Sequence, residues 1–136
     1  MSQVTVLDAS AILAFLQSEP GEDLVQQALQ TGPCVVSAAN QAEIIAKLLD
    51  HGGNPDTIQL ILTELAYTLI DSTGADGMQA GWMHRETRKL GLSLGDRLCL
   101  AAAQRLEARV LTADRPWSAV APLLKLDICC IRPDTH

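Results

Sequence analysis

Basic residues are scarce in this chain. Ten Lys and Arg stand against sixteen Asp and Glu over 136 residues, a formal net charge of −6 with His neutral. That balance argues against a protein that grips nucleic acid through a broad basic surface. Aromatic side chains are scarcer still: two Trp, one Tyr and one Phe. The core must therefore be built from aliphatic residues. Four cysteines are present, Cys34, Cys99, Cys129 and Cys130, and none forms a C-x-x-C pair. A zinc site and a disulfide framework are both disfavoured, and buried reduced thiols are expected. Cys129 and Cys130 are adjacent in an apolar segment, so a strand there would send them to opposite faces. No apolar run reaches the roughly 18–20 residues that a membrane span needs. The N-terminus lacks the basic patch and long apolar core of a signal peptide. No repeat, low-complexity tract or linker interrupts the chain. A soluble, cytoplasmic protein with no membrane partner is the expectation.

What is present is ordinary globular material, 48 % hydrophobic and 19 % charged. Residues 1–136 read as a single domain, of a size that buries roughly 68–70 % of its unfolded surface. Short apolar runs alternate with helical patterns. Strands are expected at Val4–Leu7, Cys34–Val36, 67–71, 109–114 and 127–131. Helices are expected at Ala11–Leu16 with Ser10 as the N-cap, at Glu22–Leu29 and over 38–53 with Gly52 and Gly53 as a stop. Further helices are expected over 54–65 with Asn54 as cap and Pro55 in the first turn, over Thr73–Lys89 and over 93–108. Pro116 suits the start of a short helix. The strand runs are continuously apolar and do not alternate with polar residues. This is the pattern of a parallel sheet covered on both faces. Ligands bind such sheets beyond the carboxyl ends of the strands.

Four acids stand where chemistry could use them. Asp8 ends the first apolar run, and Asp114 ends "VLTAD". Glu43 lies on a helical stripe with Asn40, Lys47 and Asp50. Asp96 follows Ser93 by three residues, before an apolar run. Each has an ordinary reading: a turn or cap for Asp8, a solvated stripe for Glu43, a capping box for Asp96 and a helix cap for Asp114. Together they carry more weight. Strand ends and the helix starts that follow them share one edge of a parallel sheet. Carboxylates gathered there repel one another unless cations neutralise them. An all-oxygen site of that kind suits Mg²⁺ or Mn²⁺.

Four segments, "LDASAILAFL" from Leu7, "SAANQAEI" from Ser37, "LSLGDRLCLAAA" from Leu92 and "VLTAD" from Val110 with Trp117 beyond it, together resemble the PIN domain. More closely they resemble the VapC-type toxins of bacterial toxin–antitoxin pairs. The segments lie in the family's order and spacing, and the resemblance covers essentially the whole chain. It implies an α/β/α sandwich around a short-stranded, mainly parallel sheet. It implies a metal-dependent ribonuclease that hydrolyses RNA phosphodiesters with activated water and one or two Mg²⁺ or Mn²⁺ ions. Carried over by motif, Asp8, Glu43, Asp96 and Asp114 match the family's four acids, as metal ligands and catalytic groups. Ser10, Asn40 and Thr112 match polar positions that flank the site. A VapB-type antitoxin and a homodimer are implied as partners. Arg97 and Arg115 adjoin the acids and are candidates to touch RNA. His84, Arg85, Arg88 and Lys89 form a basic helical patch that could guide RNA but reads more readily as a solvated face. Trp117 could stack a base or fill the core.

Three other readings compete. A phosphate-transfer receiver or an aspartyl-phosphate phosphatase would also put an acid after the first strand, but the phosphatase would want a second acid where Ser10 stands. "GLSLG", residues 91–95, matches the G-x-S-x-G elbow of serine hydrolases. That motif must follow a strand, and the only His downstream of Ser93 is His136. A catalytically inactive PIN-like module that only binds RNA or a partner would keep the fold and lose the chemistry.

Overall fold

The computed structural model describes residues 3–133. Among these, the strands β1 (Thr5–Leu7), β2 (Cys34–Ser37), β3 (Thr68–Ile70), β4 (Arg109–Thr112) and β5 (Ile128–Cys130) form one sheet in the order β3-β2-β1-β4-β5. Every neighbouring pair is parallel, with Val6 of β1 opposite Val35 on one side and Val110 on the other. The chain winds outward from β1 to β2 and β3, then returns to lay β4 against the other flank of β1. The reversal lies between β1 and β4, where open α/β sheets leave a crevice at the strands' carboxyl ends.

The helices are α1 (Ala9–Leu16), α2 (Glu22–Thr31), α3 (Ala38–Asp50), α4 (Pro55–Glu64), α5 (Gly74–Thr87), α6 (Leu94–Leu106) and α7 (Ala121–Leu124). Short 3-10 turns cover Arg88–Leu90 and Arg115–Ala119. Strand side chains alternate between two cores. Val6, Val35 and Val110 join Met83 of α5, Leu100 of α6 and Trp117 on one face. Leu7, Cys34, Val36 and Leu111 join Ile12 of α1, Val25 of α2 and Ile44 of α3 on the other. Burial on both faces explains the apolar runs of the three inner strands β1, β2 and β4, while the edge strands β3 and β5 are partly exposed, and the three layers are those of an α/β/α sandwich.

Several local expectations change. Asp8, and not Ser10, is the N-cap of α1, and its carboxylate accepts the Ala11 N–H at 2.8 Å. The helix begins two residues earlier than expected because Asp8 is itself a strong capping residue. Two of the four cysteines are not buried. Cys34 and Cys99 are, but Cys129 is exposed and Cys130 half-buried, because β5 is an edge strand. Trp117 is fully buried in the core, so it stacks no base. The helix expected to Lys89 stops at Thr87 and continues as the 3-10 turn. Ser93 follows that turn and Leu92, not a strand, and caps α6, which removes the hydrolase elbow.

One linkage was not anticipated. Asp76 closes a capping box with Thr73 and also accepts from Arg105 of α6 at 2.9 and 3.0 Å. This ties the start of α5 to the far end of α6, the helix whose first turn carries Asp96. Among the described residues, no helix is long and apolar enough to cross a membrane.

Candidate active site

Asp8 leaves the central strand at its carboxyl end and is 2 % exposed. Two hydroxyls hold its carboxylate. Ser10 Oγ donates to it at 2.8–2.9 Å, and Thr112 Oγ1 donates to Oδ2 at 2.7 Å. The same hydroxyls accept backbone N–H groups just past β4, Ser10 from Ala113 at 2.9 Å and Thr112 from Asp114 at 3.0 Å. Each hydroxyl thus bridges the end of β1 to the end of β4. The clamp fixes the rotamer of Asp8 and brings the Asp114 backbone beside it. Asp114 makes no side-chain cap on the turn that follows, so that ordinary reading fails.

Glu43 arrives from α3. Asn40, one turn earlier and fully buried, donates from Nδ2 to Glu43 Oε1 at 2.7 Å and to the Gly95 carbonyl at 3.3 Å. The stripe read as solvated is therefore turned inward at Asn40. Its Oδ1 is buried with no hydrogen-bond partner among the described residues. Gly95 sits in the first turn of α6, and a Cβ there would lie 2.5 Å from Glu43 Oε1 and 2.6 Å from Cδ. Only glycine lets the carboxylate rest against this helix. Asp96 follows, and its carboxylate closes the expected capping box with Ser93 at 2.9 Å.

These acids act on one another. Burial pushes the Asp8 pKa up to about 7, against the hydrogen bonds from Ala11, Thr112 and Ser10, and the charge of Asp96 adds to the rise. Asp96 is raised by burial and by Asp114, against its bonds to Ser93. Glu43 is raised by burial and by Asp96, against its bond from Asn40. Asp96 is thus the charge felt by both Asp8 and Glu43. Beneath it Cys99 is fully buried, and desolvation together with Asp8, Asp96 and Glu43 holds its thiol well above its ordinary value. The salt bridges among the described residues are Arg85–Glu86 and Arg105–Asp76, so none of the four acids has a cation in ion-pair contact.

Carboxylate oxygens with no ion-pair partner among the described residues are donors that suit a hard divalent cation. As they stand, no group of three or more His, Cys, Asp or Glu among the described residues is disposed to hold a metal ion.

The two arginines differ. Arg97 turns to α5 and donates to the Ala80 carbonyl at 2.8 Å, with its Nε buried and unpartnered. It braces two helices and is not presented to a ligand. Arg115 is exposed, and it lines a cleft of about 410 Å³ with Ser10, Ala113, Asp114, Pro116 and Arg132. Arg132 and Gly95 are the residues that linear reasoning missed. Gly95 lay in plain view inside the false hydrolase motif, and Arg132 carried no sequence signal.

The position of Asp8 sets a pH dependence. Unfolded, the carboxyl ionises near pH 3.8, whereas in the fold it does so near 7. Below the lower value both states are protonated and the group contributes nothing. Between the two the fold holds the extra proton, so stability falls as pH rises, by a total on the order of 4 kcal/mol. Asp8→Asn keeps a capping side chain and cannot ionise. Urea unfolding without divalent metal should show the variant gaining on the wild type from about pH 4 to about pH 8. A constant difference over that range would mean that Asp8 is not desolvated as described.

The fold matches solved structures along nearly the whole chain. One is VapBC from Salmonella typhimurium, bound to DNA, with a TM-score of 0.71 at 14 % identity, covering 94 % of this chain and 98 % of that one. Another is VapBC-1 from nontypeable Haemophilus influenzae, with a TM-score of 0.70 at 18 % identity, covering 94 % and 98 %. A third is FitAcB from Neisseria gonorrhoeae, with a TM-score of 0.62 at 18 % identity, covering 91 % and 95 %. At such identities the likeness is one of fold. No curated protein matches. The PIN domain family model matches residues 5–122, a span that holds all four acids, and the chain belongs to the PIN domain family.

Proposed function

We propose that this PIN domain is a metal-dependent endoribonuclease and the toxin of a toxin–antitoxin pair. One observation carries the reading. Asp8 and Asp114 stand just past the carboxyl ends of β1 and β4, with Glu43 on α3 and Asp96 on α6; Asp8, Glu43 and Asp96 are each desolvated and each raised by a neighbouring carboxylate, and none of the four is in an ion pair among the described residues. Such an arrangement is unfavourable on its own, and binding a divalent cation relieves it.

Asp8, Asp96, Asp114 and Glu43 would hold one or two Mg²⁺ or Mn²⁺ ions. A bound ion supplies an activated water and shields the charge that builds on an attacked phosphate. Ser10 and Thr112 keep the Asp8 carboxylate in one rotamer, and Asn40 does the same for Glu43. Glu43 is half-buried with a raised pKa, which suits it to accept a proton from the attacking water at its carboxylate. Ser93 fixes Asp96 at the start of α6.

The toxin role draws support from the similar structures, which are VapBC assemblies. A VapB-type antitoxin is the proposed partner, RNA the proposed substrate and a homodimer the proposed assembly.

The test is cleavage of a mixed RNA pool by purified chain freed of any partner, with Mg²⁺ or Mn²⁺ and with EDTA. Cutting should require metal and fall at least about 100-fold in Asp96→Asn. Equal cutting by both would remove Asp96 from the chemistry. RNA retained but cut by neither would favour the binding-only module. A second variant tests the packing of Glu43. Gly95→Ala meets only the end of a flexible side chain, and alanine is about 1 kcal/mol better than glycine within a helix. The fold should persist in a melting experiment while cleavage drops about tenfold or more. Full activity would show that Glu43 needs no place against α6.

A further inference from the structure

The polar edge has a basic flank that lies outside the acid cluster. Arg115 follows Asp114 directly, and Arg132 comes from the segment after β5. Both line the cleft that Ser10 and Asp114 border. Both also line an adjoining hollow of about 270 Å³ with Glu19, Pro20 and Pro133. The pair is fixed by two contacts. Arg115 Nη2 donates to the Pro133 carbonyl at 2.8 Å, which ties its guanidinium to the segment carrying Arg132. Gly21, at φ +98, lets the turn between α1 and α2 press on Ile131, where a Cβ would sit 2.5 Å from the Ile131 carbonyl oxygen. The Ile131 N–H in turn bonds the Thr112 carbonyl at 2.8 Å, so the segment continues from the same strand end that holds Asp8.

In a chain of net charge −6, two exposed guanidinium groups beside an acid cluster are a local reversal of sign. A planar guanidinium presents a fork that matches phosphate oxygens. Of the charged residues lining the cleft, Arg115 and Arg132 are cations and Asp114 is the one anion, so a phosphate meets net positive charge there. We propose that the Arg115–Arg132 cleft binds a backbone phosphate of the RNA strand beside the one presented to the acids, with Arg132 its main contact. The inference rests on the ribonuclease reading and adds a substrate-positioning residue to it. Neither salt bridge among the described residues involves Arg132.

The experiment is fluorescence anisotropy of a labelled RNA of about 12 mixed nucleotides, titrated with the full chain in EDTA over a range of salt. Arg132→Ala should weaken binding about tenfold and lower the salt slope by about 0.7, the loss of one phosphate contact on a single strand. Arg132→Lys should recover part of the affinity, since charge returns without the fork. Arg85→Ala, an exposed arginine on α5, should bind as the wild type does. Unchanged affinity and slope in Arg132→Ala overturn the proposal. If the wild type still cuts RNA with metal, the ribonuclease reading survives that result; if the wild type neither holds nor cuts RNA, both fall. Loss of poly-glutamate binding with RNA binding unchanged would reassign the cleft to a carboxylate-bearing protein partner.

Discussion

The whole edge of this molecule is organised around one unfavourable act, the burial of the Asp8 carboxylate. Desolvation, with the charge of Asp96 added, drives its pKa up to about 7, and three hydrogen-bonding groups do not offset it. The fold tolerates this because Asp8 also starts α1, and because Ser10 and Thr112 use the same hydroxyls to bind Asp8 and the backbone past β4. The acid is thus built into the joint between two strands and a helix. Around it Asp96 raises both Asp8 and Glu43, Asp114 raises Asp96, and no basic side chain among the described residues forms an ion pair with them. Stability is sacrificed at a single point, which is the usual mark of a site kept for chemistry.

The rest of the structure divides cleanly from that edge. The two apolar cores fill both faces of a parallel sheet and account for the fold without help from the acids. The α6 helix serves both regions: its buried face carries Cys99, Leu100 and the alanines from Ala101 to Ala103, while its first turn carries Gly95 and Asp96. The Asp76–Arg105 pair fastens its other end to α5. Asn40 ties its start to α3. A helix held at both ends is what keeps Asp96 in register with strands it does not belong to.

Much of this was legible in the residues. Five apolar runs became five strands, and the apolar-throughout pattern gave the parallel sheet because both faces are covered. The Ser93–Asp96 capping box was visible because its spacing is local. Both Asp8 and Ser10 read as possible caps, and the choice between them was not legible, since hydrogen bonds across to β4 make it. Direction of a side chain was likewise hidden: Arg97 is next to Asp96 in sequence, yet it turns away to the Ala80 carbonyl. Cys129 looked buried because an edge strand cannot be told from a central one by composition. Gly95 and Arg132 depend on contacts with Glu43 and with the turn between α1 and α2, which no spacing within one element encodes.

The central claim is that the four acids form one site completed by a divalent cation. Titration of metal-free protein with Mn²⁺, followed by calorimetry, tests it most directly. Wild-type chain should take up one or two ions, and Asp96→Asn should bind at least about tenfold more weakly, because Asp96 is the charge felt by both Asp8 and Glu43. No uptake by the wild type, or equal uptake by both, would contradict the account.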